Sequence, residues 1–250
     1  MELIRINNLC KSFDKKNVHK GVSFSVIKGE CLGLLGGSGT GKSLILRSMI
    51  GLEKIDSGEI RIAGTDITKF NERELLSVRQ KVAYAFQGGA LFDSMTVFDN
   101  LAYPLREHTK LTETDIYQKV LKTLSDFDLK GNEYLLPASL SGGMQKRVGL
   151  ARAIILEPDI ILYDEPTAGL DPYNTKVIQD TILRLKATGV TSILVTHDMP
   201  SALAVCDRIM MLMNGKIVAT ATPAEVREQP AGVIKNFMMG FHQKRQKGRD

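Results

Sequence analysis

Eight consecutive residues, Gly36-Gly37-Ser38-Gly39-Thr40-Gly41-Lys42-Ser43, fit the spacing G-x-x-x-x-G-K-[ST]. Glycines let successive backbone N–H groups turn inward around phosphate oxygens, and a helix that begins where the loop ends points its positive pole at the same place. Lys42 is then expected to neutralise the β and γ phosphates of a nucleotide, and Ser43 to offer a hydroxyl to Mg²⁺. The flanks have the character this chemistry needs. The apolar run Cys31-Leu32-Gly33-Leu34-Leu35 precedes the loop, and Leu44, Ile45, Leu46, Met49 and Ile50 follow it at helical spacing.

A second chemical element is Ile160-Ile161-Leu162-Tyr163-Asp164-Glu165, an apolar strand that delivers two adjacent carboxylates at its C-terminal end, where open α/β sheets bind their ligands. Asp164 is expected in the Mg²⁺ shell, and Glu165 is expected to orient or deprotonate the attacking water. An acidic pair alone is more often a helix cap or a surface turn; beside the phosphate loop that balance reverses. A third element, Ser139-Leu140-Ser141-Gly142-Gly143-Met144, opens a helix carrying Lys146, Arg147 and Arg152. It reads as a second anion site, although Ser141 as a plain N-cap accounts for the same residues.

The elements that must position these groups alternate. Strands are expected over 3–8, 22–26, 30–35, 58–62 and 81–86, with a helix from 44 until Gly51. Residues 88–140 break the pattern with apolar and aromatic side chains and an amphipathic helix over 113–127. Beyond Gly143 come a helix to 156, a strand over 160–163, a helix over 174–186, and strands over 192–195, 209–213 and 216–219. Alternation with continuously apolar strands implies an α/β fold with a buried parallel sheet flanked by helices.

Composition limits the remaining classes. At 43% hydrophobic and 24% charged residues over 250 positions, the chain can bury a large core, and no apolar run approaches the roughly 20 residues a spanning helix needs. Residues 1–7 carry Glu2 and lack the basic and apolar regions of an export signal, so a cytoplasmic location is expected. Cys10, Cys31 and Cys206 have no metal-ligand spacing and read as reduced core thiols. Lys244, Arg245, Lys247 and Arg249 against Asp250 carry +3 of the formal +5. The nearly neutral body argues against a nucleic-acid groove, and the basic tail reads as a solvated end.

The phosphate loop, Leu-Ser-Gly-Gly about a hundred residues on, and Ile-Ile-Leu-Tyr-Asp-Glu shortly after resemble together the nucleotide-binding subunit of ABC transporters. The resemblance spans nearly the whole chain, from Leu3 to about Ala224. It implies a P-loop NTPase core with a parallel sheet, an N-terminal antiparallel β subdomain and an inserted helical subdomain. The core is expected over 1–88 and 142–224, the helical insertion over 89–141 and a C-terminal extension with the basic tail over 225–250. The cofactors implied are ATP and Mg²⁺.

Further residues take roles from the resemblance. Phe13 matches the aromatic that stacks on adenine, with Val18 beside it. Gln87 matches the glutamine that touches Mg²⁺ and the attacking water, and His197 the histidine that contacts the γ-phosphate. Asp171 matches the aspartate that reaches across to a partner subunit, while Asp171-Pro172 also reads as an N-cap and first helical residue. Two subunits of this family pack head to tail, so Ser141, Gly142 and Gly143 of one copy close over the γ-phosphate held by the other. Leu44 and Met144 depart from the family pattern, which has threonine and glutamine there; Met144 is expected to tune the contact between subunits.

With no membrane segment, the chain is expected to drive a separate permease from the cytoplasmic face of the inner membrane. The stretch Phe86-Gln87-Gly88-Gly89-Ala90-Leu91-Phe92-Asp93-Ser94-Met95-Thr96-Val97 and the Leu-Ser-Gly-Gly-Met variant resemble the ATPase of Mla or MCE-type phospholipid transport systems. This adds an MCE-type lipid-binding subunit to the expected partners. Leu91, Phe92, Met95 and Phe98 form either a groove for a permease helix or the core of the helical subdomain. A system for small polar solutes is the alternative cargo reading, and a non-transport ABC protein of DNA repair or translation a different class.

Overall fold

The computed structural model describes residues 1–14, 16–228 and 232–238. Two strands, β1 (Glu2–Phe13) and β2 (Lys16–Ile27), pair antiparallel before β3 (Cys31–Leu35) leads into α1 (Lys42–Met49). Then come β4 (Ser57–Ile62), β5 (Thr65–Asp66), α2 (Glu72–Arg79) and β6 (Val82–Ala85). Next come α3 (Val97–His108), α4 (Glu113–Asp126) and a 3-10 turn at Pro137–Ser139. The chain continues with α5 (Gly142–Ile154), β7 (Ile160–Asp164), α6 (Pro172–Ala187), β8 (Thr191–Thr196) and α7 (Met199–Val205). It ends in β9 (Arg208–Met213), β10 (Lys216–Ala221), α8 (Pro223–Glu228) and α9 (Val233–Met238).

The strands form two sheets. One is four-stranded and antiparallel, β2-β1-β4-β5; the other is six-stranded, β10-β9-β3-β8-β7-β6, parallel except where β10 turns back on β9. This is the α/β architecture the alternation implies, with an antiparallel N-terminal sheet beside a parallel core sheet.

The central strands are buried on both faces, and their side-chain alternation divides two cores between them. Leu32, Leu34, Ile160, Leu162, Ile193, Val195, Met210 and Leu212 face one side, where α1 and the antiparallel sheet supply Ile45, Leu46, Met49, Ile4, Ile6 and Val26. Cys31, Leu35, Ile161, Tyr163, Leu194, Ile209 and Met211 face the other, against α5, α6, α7 and the helical insertion. Cys31 and Cys206 lie in this second core with their sulfurs 3.9 Å apart, whereas Cys10 is half-buried.

The antiparallel strands run longer than the sequence periodicity indicates. Ile4 and Ile6 point inward, then Leu9 does; the register slips between Ile6 and Leu9, and Asn8 adopts a φ of 47°. An extra residue of this kind inverts the inward parity, so an alternation count stops at residue 8 while the strand continues to Phe13. The insertion likewise holds a second helix, α3, which Thr96 caps through the Asp99 amide and in which Pro104 interrupts the pattern without ending it. Phe98 and Leu91 pack on the second core, Met95 is half-buried, and Phe92 is exposed. The basic tail lies outside the described residues.

Candidate functional site

The site lies at the C-terminal ends of β3, β7 and β8, adjacent strands of the parallel sheet. From β3 the chain turns through Gly36–Thr40 into α1, whose cap Gly41 holds a left-handed φ of 95°. A Cβ on Gly41 would lie 2.5 Å from His19 Nε2 and 2.6 Å from Val18 Cγ1, so both conformation and space demand glycine. Thr40 Oγ1 donates to the Gly37 carbonyl at 2.9 Å, and Ser38 and Gly39 stand exposed at the tip.

Lys42 is buried, and its Nζ donates to the carbonyls of Gly36 at 2.9 Å and Gly37 at 3.1 Å. It stands 3.7 Å from Glu165 Oε1. Burial pulls the ammonium below the ordinary lysine range; the carboxylates of Glu165 and Asp164 oppose that shift. Ser43, one residue on, donates its hydroxyl to Asp164 Oδ1 at 2.6 Å.

The two carboxylates at the end of β7 are both buried, and their neighbours separate their roles. Asp164 accepts from Ser43 on Oδ1 and from Tyr84 OH on Oδ2 at 2.7 Å. Burial first, and then the Asp164 carboxylate, push the Tyr84 phenol far up, so it remains a donor. Glu165 leaves the strand with φ at 50°, a left-handed conformation unusual for a residue with a side chain. Its Oε2 accepts from Thr196 Oγ1 at 3.2 Å, the His197 amide at 3.3 Å and His197 Nδ1 at 2.8 Å. Because a carboxylate accepts, Nδ1 of His197 carries the proton there, and the rest of the side chain is exposed. A carboxylate held this way can take a proton from a water, with Lys42 on one side and His197 on the other.

Other expected residues are nearby but less engaged. Gln87 is exposed two residues past the end of β6; carrying the Ala85–Tyr163 register forward brings it level with Glu165. Phe13, at the end of β1, keeps an exposed ring with Lys11 Nζ 4.8 Å from its centroid. Val18 touches the phosphate loop at Gly41.

At the second expected anion site the exposed groups are the serine and the first glycine. Ser141 caps α5 through the Met144 amide at 3.3 Å, and Ser141 and Gly142 are exposed. The three basic side chains, however, are turned to backbone carbonyls: Lys146 to Ala168, Arg147 to Phe127 and Asp128, and Arg152 to Gly89 and Ala90. They brace the helix, which leaves Ser141 and the helix terminus as the groups presented there. Met144 is partly buried and packs on the chain's own core. Gly143 rests against the Asn174 side chain, and Asn174 donates to Asp171 through its amide at 2.9 Å and its Nδ2 at 2.5 Å. Asp171 therefore does cap α6, and these hydrogen bonds hold its carboxyl below the usual range.

Tyr84, Thr196 and His19 have no counterpart in the sequence reading. Tyr84 is the one with a visible signal, a polar-tipped side chain in a strand expected to be apolar.

The oxygen donors suit a hard cation. Ser43 and Asp164 offer a hydroxyl and a carboxylate within 2.6 Å, and among the described residues no group of three or more His, Cys, Asp or Glu side chains could hold a metal by itself. That donor set fits Mg²⁺, which keeps waters and shares phosphate oxygens.

The profile described as ABC transporter matches residues 19–168. The probable ribonucleotide transport ATP-binding protein mkl of Mycobacterium tuberculosis is 41% identical over 238 residues, 95% of this chain; the chain spans 66% of that relative's length. The intermembrane phospholipid transport system ATP-binding protein MlaF of Escherichia coli is 40% identical over 92% of this chain and 87% of its own. Among solved structures, the dimeric post-hydrolysis state of the ATP-binding cassette MJ0796, bound to ADP and Pi, superposes with a TM-score of 0.83. It is 28% identical and covers 88% of this chain and 98% of that one.

Proposed function

Because the chain belongs to the ABC transporter family, we propose that it hydrolyses ATP and drives a separate membrane permease, with phospholipid as the cargo. The observation that carries the catalytic part is the seat of Glu165: a buried carboxylate at a strand end, 3.7 Å from the Lys42 ammonium and 2.8 Å from His197 Nδ1. In this reading Lys42 and the amides of residues 36–43 bind the phosphates, Glu165 orients and deprotonates the attacking water, and His197 faces the γ-phosphate. Ser43, Asp164 and Gln87 would hold Mg²⁺, which when bound neutralises phosphate charge. Phe13, with Val18 beside it, stacks on the adenine.

A second copy completes each site: Ser141, Gly142 and Gly143 cover the γ-phosphate, and Asp171 reaches across. The dimeric cassette among the structural relatives supports this arrangement. The division into a core over 1–88 and 142–224, a helical insertion over 89–141 and an extension over 225–250 belongs to the same proposal. So do the permease and an MCE-type lipid-binding subunit as partners, and a place on the cytoplasmic face of the inner membrane. Among the described residues no helix is long and apolar enough to cross a membrane.

The cargo reading leans on the MlaF proteins of Escherichia coli and Haemophilus influenzae. Purification of the tagged chain from gently solubilised membranes of its host tests it. A permease, an MCE-type subunit and phospholipid are the expected companions; a solute-binding protein instead would overturn the lipid assignment. Lys42→Ala tests the catalytic part: hydrolysis by the purified protein is expected to fall by about 10²-fold or more.

A further inference from the structure

His19 is 2% exposed, lies on β2, and is used by no step above. Its Nε2 lies 3.0 Å from the Gly41 carbonyl oxygen. A carbonyl only accepts, so Nε2 carries the proton; in the neutral ring Nδ1 is then a bare acceptor, and it is buried with no hydrogen-bond partner among the described residues. The ring is thus fixed as one tautomer, committed to one bond, at the cost of a dry lone pair.

What that bond holds follows from the peptide unit. The Gly41 carbonyl and the Lys42 N–H belong to one planar trans peptide, so they point in opposite directions and turn together. Gly41 O also accepts from the Ile45 amide at 3.2 Å, the first bond of α1. Two donors therefore pin the oxygen, and the Lys42 N–H is aimed back out of the helix terminus into the phosphate loop. The support behind the ring is firm as well, since Lys20 donates its amide to Gly215 O at 2.8 Å, tying β2 to the β9–β10 turn.

We propose that His19 is a positioning residue for nucleotide binding: through the Gly41 carbonyl it holds the first amide of α1 toward the phosphates. This rests on the reading of the loop as the ATP site.

The test compares the purified full chain with His19→Gln, His19→Leu and His19→Asn. A glutamine amide nitrogen is separated from Cβ by the same number of bonds as Nε2 and restores the donor; asparagine reaches only to the place of Nδ1, and leucine has no donor. Affinity is measured by calorimetry for Mg-ATP and ADP, with inorganic pyrophosphate as a competitor that carries phosphates and no base. The expected result is near wild-type binding for His19→Gln, and loss of about five-fold for His19→Leu and His19→Asn with all three probes. Equal affinity in all four proteins overturns the inference, as does a His19→Gln as weak as His19→Leu. Should leucine prevent folding, the asparagine and glutamine pair decides alone. A wild-type chain that binds neither ATP nor ADP would bring down the nucleotide reading itself, a result separable from the others.

Discussion

Glu165 stores conformational strain at the point of greatest chemical interest. A left-handed φ costs a residue with a Cβ on the order of 1 kcal/mol or more, and the three donors gathered on Oε2 keep it there. Glu165→Gln keeps the shape and the left-handed backbone but removes the proton acceptor, so turnover is expected to fall by about 10² to 10⁴-fold with ATP binding retained. Single-turnover hydrolysis alongside nucleotide titration checks this. Titration at His19 follows from its burial, which lowers its pKa below the ordinary 6.5, while the Gly41 carbonyl opposes the shift. On acidification the unfolded chain therefore takes up the proton first. The stability His19 brings is present above about pH 6.5 and is lost as the pH falls through its lower native value. Thermal melts from pH 7.5 to 5 are expected to show wild type losing stability toward acid relative to His19→Gln, which has no imidazole to titrate. Loop residues 36–43 and the Asp164-Glu165 pair were legible because their chemistry is written in consecutive positions. Tyr84 and His19 were not, since Tyr84 meets Asp164 across 80 residues and His19 meets Gly41 across 22.

Among the elements, α5 shows how much packing hides from periodicity. Gly149 on its inner face leaves so little room that a Cβ there would come within 2.5 Å of Gly89 Cα and 2.7 Å of Gly89 O. Arg152 of the same helix donates to the Ala90 carbonyl at 2.8 Å, so helix and loop are joined at two levels, just beyond Gln87. Gly149→Ala is expected to cost about 1–3 kcal/mol by overpacking, read as a lower midpoint in urea at unchanged slope. Helices α1, α4, α5 and α6 and the parallel strands announced themselves through apolar patterns, whereas α3, interrupted by Pro104, and α7 did not. Short elements did not: α2 depends on a reciprocal cap between Asn71 and Glu74, and the turn before α3 on fully buried Asn100, which satisfies Phe92, Met95 and Thr96. Such hydrogen bonds join polar residues that a hydrophobic count passes over.

For the whole molecule, the proposed pairing of two copies has a direct check. Glu165→Gln with Mg-ATP is expected to elute from size exclusion at twice the mass of the same protein without nucleotide; a monomer that retains ATP would contradict shared sites. The frame behind those sites is governed by the division of β3, β7, β8 and β9 between two cores. Sliding any one of these strands by a single residue would hand the lining of each core to the other, so an alignment error is penalised on both sides at once. A sheet proofread in this way has no near-degenerate neighbour to visit. Any movement in the proposed cycle must therefore carry these strands as one unit, because slipping one past another is closed to them.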